Sequence, residues 1–273
     1  MKNKLTELLI KARLTMMISN QEMLYIIKIS QNSDNLEQDA FLFLKNKWRG
    51  EKFNQFLPLF RQQNVSDILA INYLSDEYPD ILREIYNPPA LLFYRGDIKL
   101  LKTNCLAIVG AREATEYSYR CINGIISTIK SQYTIVSGLA KGVDGWAHQA
   151  ALNNHAKTIA VIGNCLDDYY PTKNKKLQDD IFEYGLVISE YPPGCHIMRW
   201  HFPQRNRIIA GVSQKVIVTE AKERSGSLIT AEIALQENRD VYAIPGRIGD
   251  TLSLGCNKLI EEGAIPLINF KEL

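Results

Sequence analysis

Residues 105–112 read Cys-Leu-Ala-Ile-Val-Gly-Ala-Arg, a continuous apolar run that ends in a glycine turn and an arginine. Six more short apolar runs follow along the chain, with helical stretches between them. Continuous apolar runs are typical of parallel strands that helices cover on both faces. The pattern therefore predicts a doubly wound, mostly parallel α/β sheet. The predicted strands are 106–109, 134–136, 158–162, 186–188, 216–219, 241–244 and 265–268.

Toward the N-terminus the periodicity changes at about residue 75. Apolar residues such as Leu5, Leu8 and Leu9 recur there at spacings of three and four, which predicts four or five short helices with almost no strand signal. We expect a small all-α module at 1–75, a connector at 76–104 and the sheet domain at 105–273. Paired prolines followed by a short apolar run indicate an edge strand within the connector.

The composition of the 273 residues narrows the class of protein. No apolar run is long enough to cross a membrane, and the charges of Lys2, Lys4, Lys11 and Arg13 interrupt any signal-peptide core. The five cysteines are scattered without a Cys-x-x-Cys pair. This usage favours a reducing cytoplasm and argues against a disulfide framework or a zinc ribbon.

The net charge of +2 does not by itself indicate a nucleic-acid partner. An anion site must therefore come from the local placement of charges. Segment 199–224 is such a place, since it holds six Lys or Arg residues against two Glu.

The first glycine loop presents Arg112 directly after a predicted strand. It lacks the second and third glycines of the dinucleotide fingerprint, which argues against a nicotinamide or flavin site. An arginine at a loop tip can pair with a phosphate. The alternative is an ordinary solvated arginine.

The second loop brings Ser137, Gly138 and Lys141 to the end of the next strand. Its glycines allow close approach of the backbone, and the serine and lysine supply donors to an anion. The alternative is a tight strand-to-helix turn without a ligand. In both cases we expect Asp144 to cap the following helix.

The third loop places adjacent tyrosines, 169–170, before Lys173, Lys175 and Lys176. Aromatic faces beside cations are the composition expected of a groove for single-stranded nucleic acid. A solvated lysine face is the alternative.

Residues 202–211 place Arg205, Asn206 and Arg207 at the start of an otherwise apolar helix. Burying such a helix start is unfavourable unless the guanidinium groups have partners. We expect an intraprotein carboxylate, Glu190 or Glu220, to pair with one arginine and leave the other for an anion.

The turn Ser225-Gly226-Ser227 lies where a strand gives way to a helix, so its first N–H groups lack intrahelical acceptors. We expect one serine to cap this helix and a phosphate to lie beside it. The sequence contains no Walker motif, no paired carboxylates and no base beside Ser227. We therefore expect binding without catalytic residues, and neither a metal nor a cofactor.

Taken together, these segments closely resemble the DNA-processing protein A family (DprA, also called Smf). The matching stretches follow the family's order from about Tyr78 to Pro266. They are 108–112, 137–144 with Ala147-His148, 158–163, Tyr170-Pro171 with Asn174, 189–194, 202–211, 225–231, 245–246 and 255–264.

The resemblance implies an extended Rossmann-like domain that binds single-stranded DNA and acts as a homodimer. It also implies delivery of incoming strands to the RecA recombinase in natural transformation, with displacement or bypass of single-strand binding protein. The N-terminal helices resemble the family's sterile-alpha-motif-like module. Residues carried over to a DNA-binding groove are Arg112, Ser137, Gly138, Lys141, Lys175, Lys176, Arg205, Asn206, Arg207, Ser225, Gly226 and Ser227. Leu259 and Ile260 are carried over to the dimer interface.

Two departures from the family pattern affect these expectations. Ala111 stands where a serine is common, which removes one hydroxyl donor from the first loop. The sequence ends at Leu273 without the winged-helix domain of many members, so neither duplex binding nor autoregulation through that domain is assumed.

Two other functions stay open at this point. One is a nucleotide sensor or nucleotide-processing enzyme of a related Rossmann-like family, for which Glu232 is the nearest candidate carboxylate to the 225–227 turn. The other is a DNA-binding paralogue without a role in transformation.

Overall fold

The computed structural model describes residues 3–273; Met1 and Lys2, one of the N-terminal charges named above, lie outside the described residues. The side-chain oxygens of Asn3, Ser19 and Asn35 accept hydrogen bonds from backbone N–H groups and so cap the first three helices, as short polar N-cap residues do. The N-terminal helices are α1 (Lys4–Leu14), α2 (Asn20–Ser30), α3 (Leu36–Lys47) and α4 (Gly50–Gln62). Their apolar faces pack around one cluster that includes Leu9, Met23 and Phe56, which confirms the helical periodicity.

The first 75 residues also contain a strand that the sequence did not indicate. This is β1 (Ala70–Asn72), which pairs antiparallel with β2 (Leu91–Gly96). Strand β2 confirms the apolar run of the connector, but it is not an edge strand because β1 covers its outer side. Between them lies the short helix α5 (Asp80–Arg83), and a 3-10 helix at Ile98–Lys102 leads to the next strand.

One nine-stranded sheet forms the rest of the molecule, in the order β1-β2-β6-β5-β4-β3-β7-β8-β9. All pairs from β6 to β9 in that order are parallel, and the two pairs at the β1 side are antiparallel. Its remaining strands are β3 (Cys105–Val109), β4 (Thr134–Ser137), β5 (Thr158–Ile162), β6 (Leu186–Ser189), β7 (Lys215–Val218), β8 (Asp240–Ala243) and β9 (Ile265–Pro266). The predicted doubly wound sheet is thus confirmed, with each strand boundary within two residues of the expected one.

Helices cover both faces of the sheet because the side chains of its strands alternate between them. In β3, Leu106 and Ile108 pack toward α6 (Glu116–Ile129) and α7 (Val143–Asn153). Ala107 and Val109 belong to the opposite cluster. That face is covered by α9 (His201–Val212), α10 (Gly226–Gln236) and α11 (Leu254–Glu261), while α8 (Lys175–Tyr184) covers the sheet near β5 and β6.

The strand order fixes where a ligand can bind. From β3 the chain proceeds through β4, β5 and β6 on one side, and from β7 it proceeds through β8 and β9 on the other. Beyond the carboxyl ends of β3 and β7 such a reversal opens a crevice, the usual ligand position in open α/β sheets. Within residues 3–273, no helix combines the length and apolar character needed to span a membrane.

Candidate nucleic-acid interface

The crevice contains a cavity of about 480 Å³, called here the arginine cavity after Arg112, Arg199 and Arg205. The loop after β3 forms one wall, the start of α10 forms another, and the first turns of α9 form the floor. Residues 225–227 at the start of α10 line it opposite Arg112. The structure thereby brings together three predicted site elements, namely the loop with Arg112, the helix start with Arg205 and the 225–227 turn.

A second cavity of about 470 Å³, called here the lysine cavity, shares Arg112 with the first. Its cationic side chains are Lys141, Lys173 and Lys176, each exposed, and Trp146 lies in its wall. We call the two cavities together the basic groove. Because Arg112 lines both, the groove continues across the ends of several strands.

Gly142 holds the first two loops against each other. Its φ of +75° is in the left-handed region, and a Cβ here would lie under 3.0 Å from the backbone of Ala111 and Arg112. Val143 N donates to Ala111 O at 3.2 Å across the same contact. The position of Arg112 is therefore set by the second loop as well as by its own.

Arg205 is buried beneath the arginine cavity instead of extending into solvent. Its Nη1 donates to the carbonyl oxygens of Gly138, at 2.6 Å, and Val161. Burial lowers the pKa of Arg205 to about 10, and the nearby Asp144 carboxylate raises it in part. Arg205 therefore acts as a fixed positive charge that joins α9 to the ends of β4 and β5.

Asp144 does not cap α7, contrary to expectation. The N-cap is Gly142, and Asp144 lies within the first turn, buried, with Oδ2 accepting from Ala140 N at 3.4 Å. Burial raises the pKa of Asp144, an effect that the Arg205 charge opposes. The carboxylate thus balances the buried arginine and stabilises the loop before the helix.

Asn206 connects α9 to the start of α10, because its Nδ2 donates to Gly226 O at 3.2 Å. The two serines of that turn bond to each other, with 2.9 Å between Ser225 Oγ and Ser227 Oγ. Ser225 holds the N-cap position, yet its hydroxyl makes no capping bond to any described residue. The expectation of a serine cap is therefore wrong, and the N–H groups of this first turn keep no intrahelical acceptor.

Arg207 lies on another side of α9, away from the basic groove. Its Nη2 donates to both carboxylate oxygens of Glu190, at 2.7 and 2.8 Å. The expectation that one of the two arginines pairs with an intraprotein carboxylate is confirmed. Arg207 lines a separate cavity of about 680 Å³ between α1 and α9, called here the α1–α9 cavity, together with Arg13 and Trp200.

Ser137 is fully buried, and its hydroxyl donates to Ile108 O on the neighbouring strand at 2.6 Å. The expected donor to an anion is therefore a structural hydroxyl, since β4 extends one residue further than the sequence indicated. Gly138 contributes through its lack of a side chain, because a Cβ there would lie under 3.0 Å from the Arg205 guanidinium.

The adjacent residues Lys175 and Lys176 make different contacts. Lys175 Nζ lies 3.8 Å from the centroid of the Tyr169 ring and 3.4 Å from Asp179 Oδ2. Hydrogen bonding to Tyr169 and the Asp179 charge raise the pKa of Lys175. Lys176 lines the groove directly. Sequence reasoning did not select Lys173 or Trp146 as site residues, although the lysine-rich composition of 173–176 was a signal for the first.

Aromatic side chains accompany the cations. Tyr170 and Phe202 both line the arginine cavity, with their ring centroids 5.1 Å apart and their planes 35° apart. Tyr170 keeps 44% of its surface exposed, so one face is accessible. Stacking of unpaired bases needs such accessible rings.

Residues 3–273 give little support for a metal site or for a catalytic carboxylate beside the 225–227 turn. These contain no cluster of three or more His, Cys, Asp or Glu side chains placed to hold a metal ion. His201 stacks on Tyr191, with 3.8 Å between the ring centroids. Glu232 is exposed on α10 and is not among the described residues that line the arginine cavity.

The predicted dimer residues lie in different environments. Leu259 is 5% exposed and belongs to the main core of the sheet, so it has almost no surface for a partner. Ile260 is half-buried and packs against the same core. Burial therefore argues against Leu259 as a contact residue, and the dimer interface stays a prediction.

Comparison with known proteins gives three consistent findings. The family model described as DNA recombination-mediator protein A matches residues 70–273. The DNA processing protein DprA of Streptococcus pneumoniae (strain ATCC BAA-255 / R6) is 45% identical over 255 residues, covering 90% of this chain and 89% of the relative. The X-ray structure of DprA from Streptococcus pneumoniae superposes with a TM-score of 0.86 at 41% identity, covering 100% of this chain and 97% of that one.

A further solved structure is the DNA processing protein A of Helicobacter pylori, for which a unique single-stranded DNA binding mode is described. It matches with a TM-score of 0.68 at 32% identity, covering 76% of this chain and 93% of that one.

Proposed function

The chain belongs to the DNA recombination-mediator protein A family, and from that premise we propose that it binds single-stranded DNA in the basic groove. In this proposal the protein protects incoming strands and loads the RecA recombinase onto them during natural transformation and recombination. The protein acts in the cytoplasm as a homodimer and displaces or bypasses single-strand binding protein.

The continuity of the groove through Arg112 is the observation that carries the proposal. A pocket for a mononucleotide needs cations around one phosphate, whereas here the cations follow one another from Arg199 through Arg112 to Lys176. Successive cations along a groove fit the repeating charge of a polynucleotide backbone. The start of α10 adds backbone N–H groups as one further phosphate position.

The preference for a single strand follows from the aromatic rings. Tyr170 and Phe202 in the arginine cavity and Trp146 in the lysine cavity present flat apolar surfaces beside the cations. Bases in a duplex are already stacked and paired, so they gain nothing from such rings. Unpaired bases of a single strand gain stacking energy from these rings.

We infer that the protein acts on DNA by binding it, without chemistry of its own. Among the described residues that line the arginine cavity, the one carboxylate is Asp144, which is buried and interacts with the charge of Arg205. The alternative of a nucleotide-processing enzyme needs an accessible carboxylate beside the 225–227 turn. Glu232 does not meet that need, which is why we rank this alternative second.

For the homodimer we favour the edge of the sheet formed by β9 in place of Leu259. Strand β9 is paired on one side only among the described residues, and Ile265 and Ile268 beside it are 42% and 75% exposed. These exposed apolar side chains offer a surface to a second copy, whereas backbone pairing would contribute little, because β9 has two residues and Pro266 has no N–H to donate.

The test is competition for a fluorescein-labelled single-stranded 20-mer, measured by fluorescence polarisation at several salt concentrations. Unlabelled single strands should compete at least tenfold better than duplex of the same sequence, roughly the contribution of one stacked base. An uncharged peptide nucleic acid of that sequence should not compete. Equal competition by all three would contradict the proposal. RecA filament formation on strands coated with single-strand binding protein, with and without this protein, tests the loading step.

A further inference from the structure

The lysine cavity does not end at Lys176. A further cavity of about 600 Å³, called here the α7–α8 cavity, has Lys176, Gln149 and Asp180 in its lining as well. The lysine cavity therefore shares three lining residues with the α7–α8 cavity, whereas it shares only Arg112 with the arginine cavity. The basic groove thus has a continuation that the proposed function does not use.

The continuation runs down the side of the sheet between two helices. Helix α8 begins at Lys175, beyond the carboxyl end of β5, and ends at Tyr184, shortly before β6 begins at Leu186. Tyr184 and Lys157, the residue before β5, both line the α7–α8 cavity, so this cavity reaches the amino ends of the strands. From Lys176 to Tyr184 the helix rises about 12 Å.

The lysines of the continuation are available to an anion. Lys157 and Lys176 are both exposed, and neither forms an ion pair with any residue in the range 3–273. Asp180 is the one carboxylate among the described residues that line the α7–α8 cavity, so the two lysines outnumber it. Lys157 Nζ donates to Tyr184 O at 3.4 Å, which keeps its ammonium group beside the end of α8.

Tyr184 adds an accessible aromatic ring to these cations. Its side chain is 56% exposed, so much of the ring surface is open to a ligand. Exposed rings beside cations are the combination that binds single-stranded nucleic acid without sequence preference. Tyr170 in the arginine cavity and Trp146 in the lysine cavity offer the same combination. The continuation therefore repeats the chemistry of the basic groove.

We propose that a single strand bound in the basic groove continues past Lys176 along the α7–α8 cavity, with one phosphate at Lys157 and one base on Tyr184. The inference rests on the proposed function and deepens it, since it states where the strand leaves the carboxyl edge of the sheet. Stacked nucleotides are spaced about 3.4 Å apart, so about 12 Å of path adds roughly three nucleotides to the bound length.

The experiment measures affinity against strand length. Labelled oligothymidylates from dT4 to dT20 are titrated by fluorescence polarisation with the full chain, as wild type and as the double variant Lys157→Ala/Tyr184→Ala. The control is Lys45→Ala/Tyr25→Ala, which replaces an exposed lysine and a 51% exposed tyrosine of the N-terminal helices. Thermal unfolding of each protein identifies any loss of folded material.

Wild-type affinity should rise with length until the strand fills both the basic groove and the α7–α8 cavity. The double variant should match wild type within about twofold for the shortest strand that binds, and its affinity should stop rising about three nucleotides earlier. It should bind dT20 at least about fivefold more weakly, the low end of the contribution of one stacked base. Its slope of log affinity against log salt for dT20 should be smaller by about 0.7. The control should follow the wild-type curve.

Superimposed length curves for wild type and the double variant would overturn the inference and leave the proposed function standing. A loss of the same size at every length would also overturn it, because the two residues would then not mark the far end of the bound strand. So would a control that loses as much affinity as the double variant. If wild type binds no oligothymidylate of any length, the proposed function fails, and this inference fails with it.

Discussion

Arg205 and Gly138 form a matched pair: Arg205 Nη1 donates to Gly138 O at 2.6 Å, in space that any side chain on residue 138 would occupy. A buried guanidinium needs several fixed acceptors, and backbone carbonyls at strand ends supply them here. The missing Cβ is what allows the contact. The cation under the basic groove therefore depends on a buried glycine.

Two glycine variants separate support of the groove from contact with the ligand. Gly138→Ala should lower the free energy of unfolding by about 1–3 kcal/mol, because the new methyl group overlaps the Arg205 guanidinium. Gly226→Ala is the comparison, since a Cβ there meets nothing within 4 Å in the described part of the chain. It should change stability by less than about 0.5 kcal/mol.

The affinity for single-stranded DNA should not follow the stability of these variants. Gly226→Ala should weaken binding while the protein stays as stable as wild type, because a phosphate at the α10 start approaches the backbone closely. Urea unfolding and fluorescence polarisation measure the two effects. A Gly226→Ala protein with unchanged affinity would remove this turn from the interface.

Individual cations of the groove should contribute to the salt dependence of binding. Arg112→Ala and Lys176→Ala should each reduce the slope of log affinity against log salt by about 0.7, the value for one phosphate contact in a single strand. Lys175→Ala should change the slope less, because Tyr169 and Asp179 already engage its ammonium group. Lys28→Ala, at an exposed position of α2, is the matched control. Identical slopes for Arg112→Ala and Lys28→Ala would contradict the placement of the groove.

The Arg207–Glu190 pair should matter for stability. Arg207→Met should lower the free energy of unfolding by about 3–5 kcal/mol, since it leaves the buried Glu190 carboxylate without its partner. The double variant Arg207→Met/Glu190→Met should recover most of that loss. Denaturant unfolding of the two single variants and the double variant gives the coupling energy. Additive losses would show that the pair is not coupled.

His148 should make stability depend on pH. It is fully buried on α7, its Nδ1 lies 2.7 Å from Thr158 Oγ1, and burial followed by the Arg205 charge lowers the pKa of His148 to about 3. Below the unfolded-state pKa of about 6.5 the unfolded chain binds a proton that the folded chain does not. Stability is therefore full above that value and falls as the pH decreases toward the folded pKa.

Between pH 7 and pH 5 the loss due to His148 should be about 2 kcal/mol. His148→Asn keeps a donor to Thr158 but does not titrate, so its unfolding free energy should fall by about 2 kcal/mol less than that of wild type over this range. Urea unfolding at several pH values measures the difference. Parallel pH profiles for both proteins would refute the assignment.

Oligomeric state distinguishes an interface at the β9 edge from one at Leu259, the core residue that the family resemblance implied. Ile268→Glu should shift the protein toward monomer in analytical ultracentrifugation, whereas Leu42→Glu, at a similarly exposed position on α3, should not. Leu259→Ala should instead cost about 2–5 kcal/mol of stability by leaving a cavity in the core. Dissociation by Leu259→Ala without loss of stability would reverse this assignment.

The sheet was predictable from sequence because β3 to β8 are buried on both faces along most of their length and are therefore mostly apolar. Strand β1 was not, since Ala70-Ile71-Asn72 is too short to show a period and becomes a strand only by pairing with β2. Similarly, β2 looked like an edge strand because its outer neighbour was not visible in the sequence.

The loops of the site were predictable, but the direction of individual side chains was not. Arg205 and Arg207 differ by two residues, which on a helix places them about 200° apart. The sequence indicated that one would have a carboxylate partner, and only the packing of α9 shows that it is Arg207. Ser137 and Asp144 are polar residues in a glycine-rich loop, and the extra residue of β4 and the buried Arg205 turned both inward.

The two margins of the sheet are unlike each other. Strand β1 packs against α1, which also contacts β2, whereas the edge at β9 carries the exposed side chains of Ile265 and Ile268. Two molecules that join at β9 about a two-fold axis both use this edge, so it is not left open for a third. Association by this route would therefore stop at a pair and would not extend into a fibre.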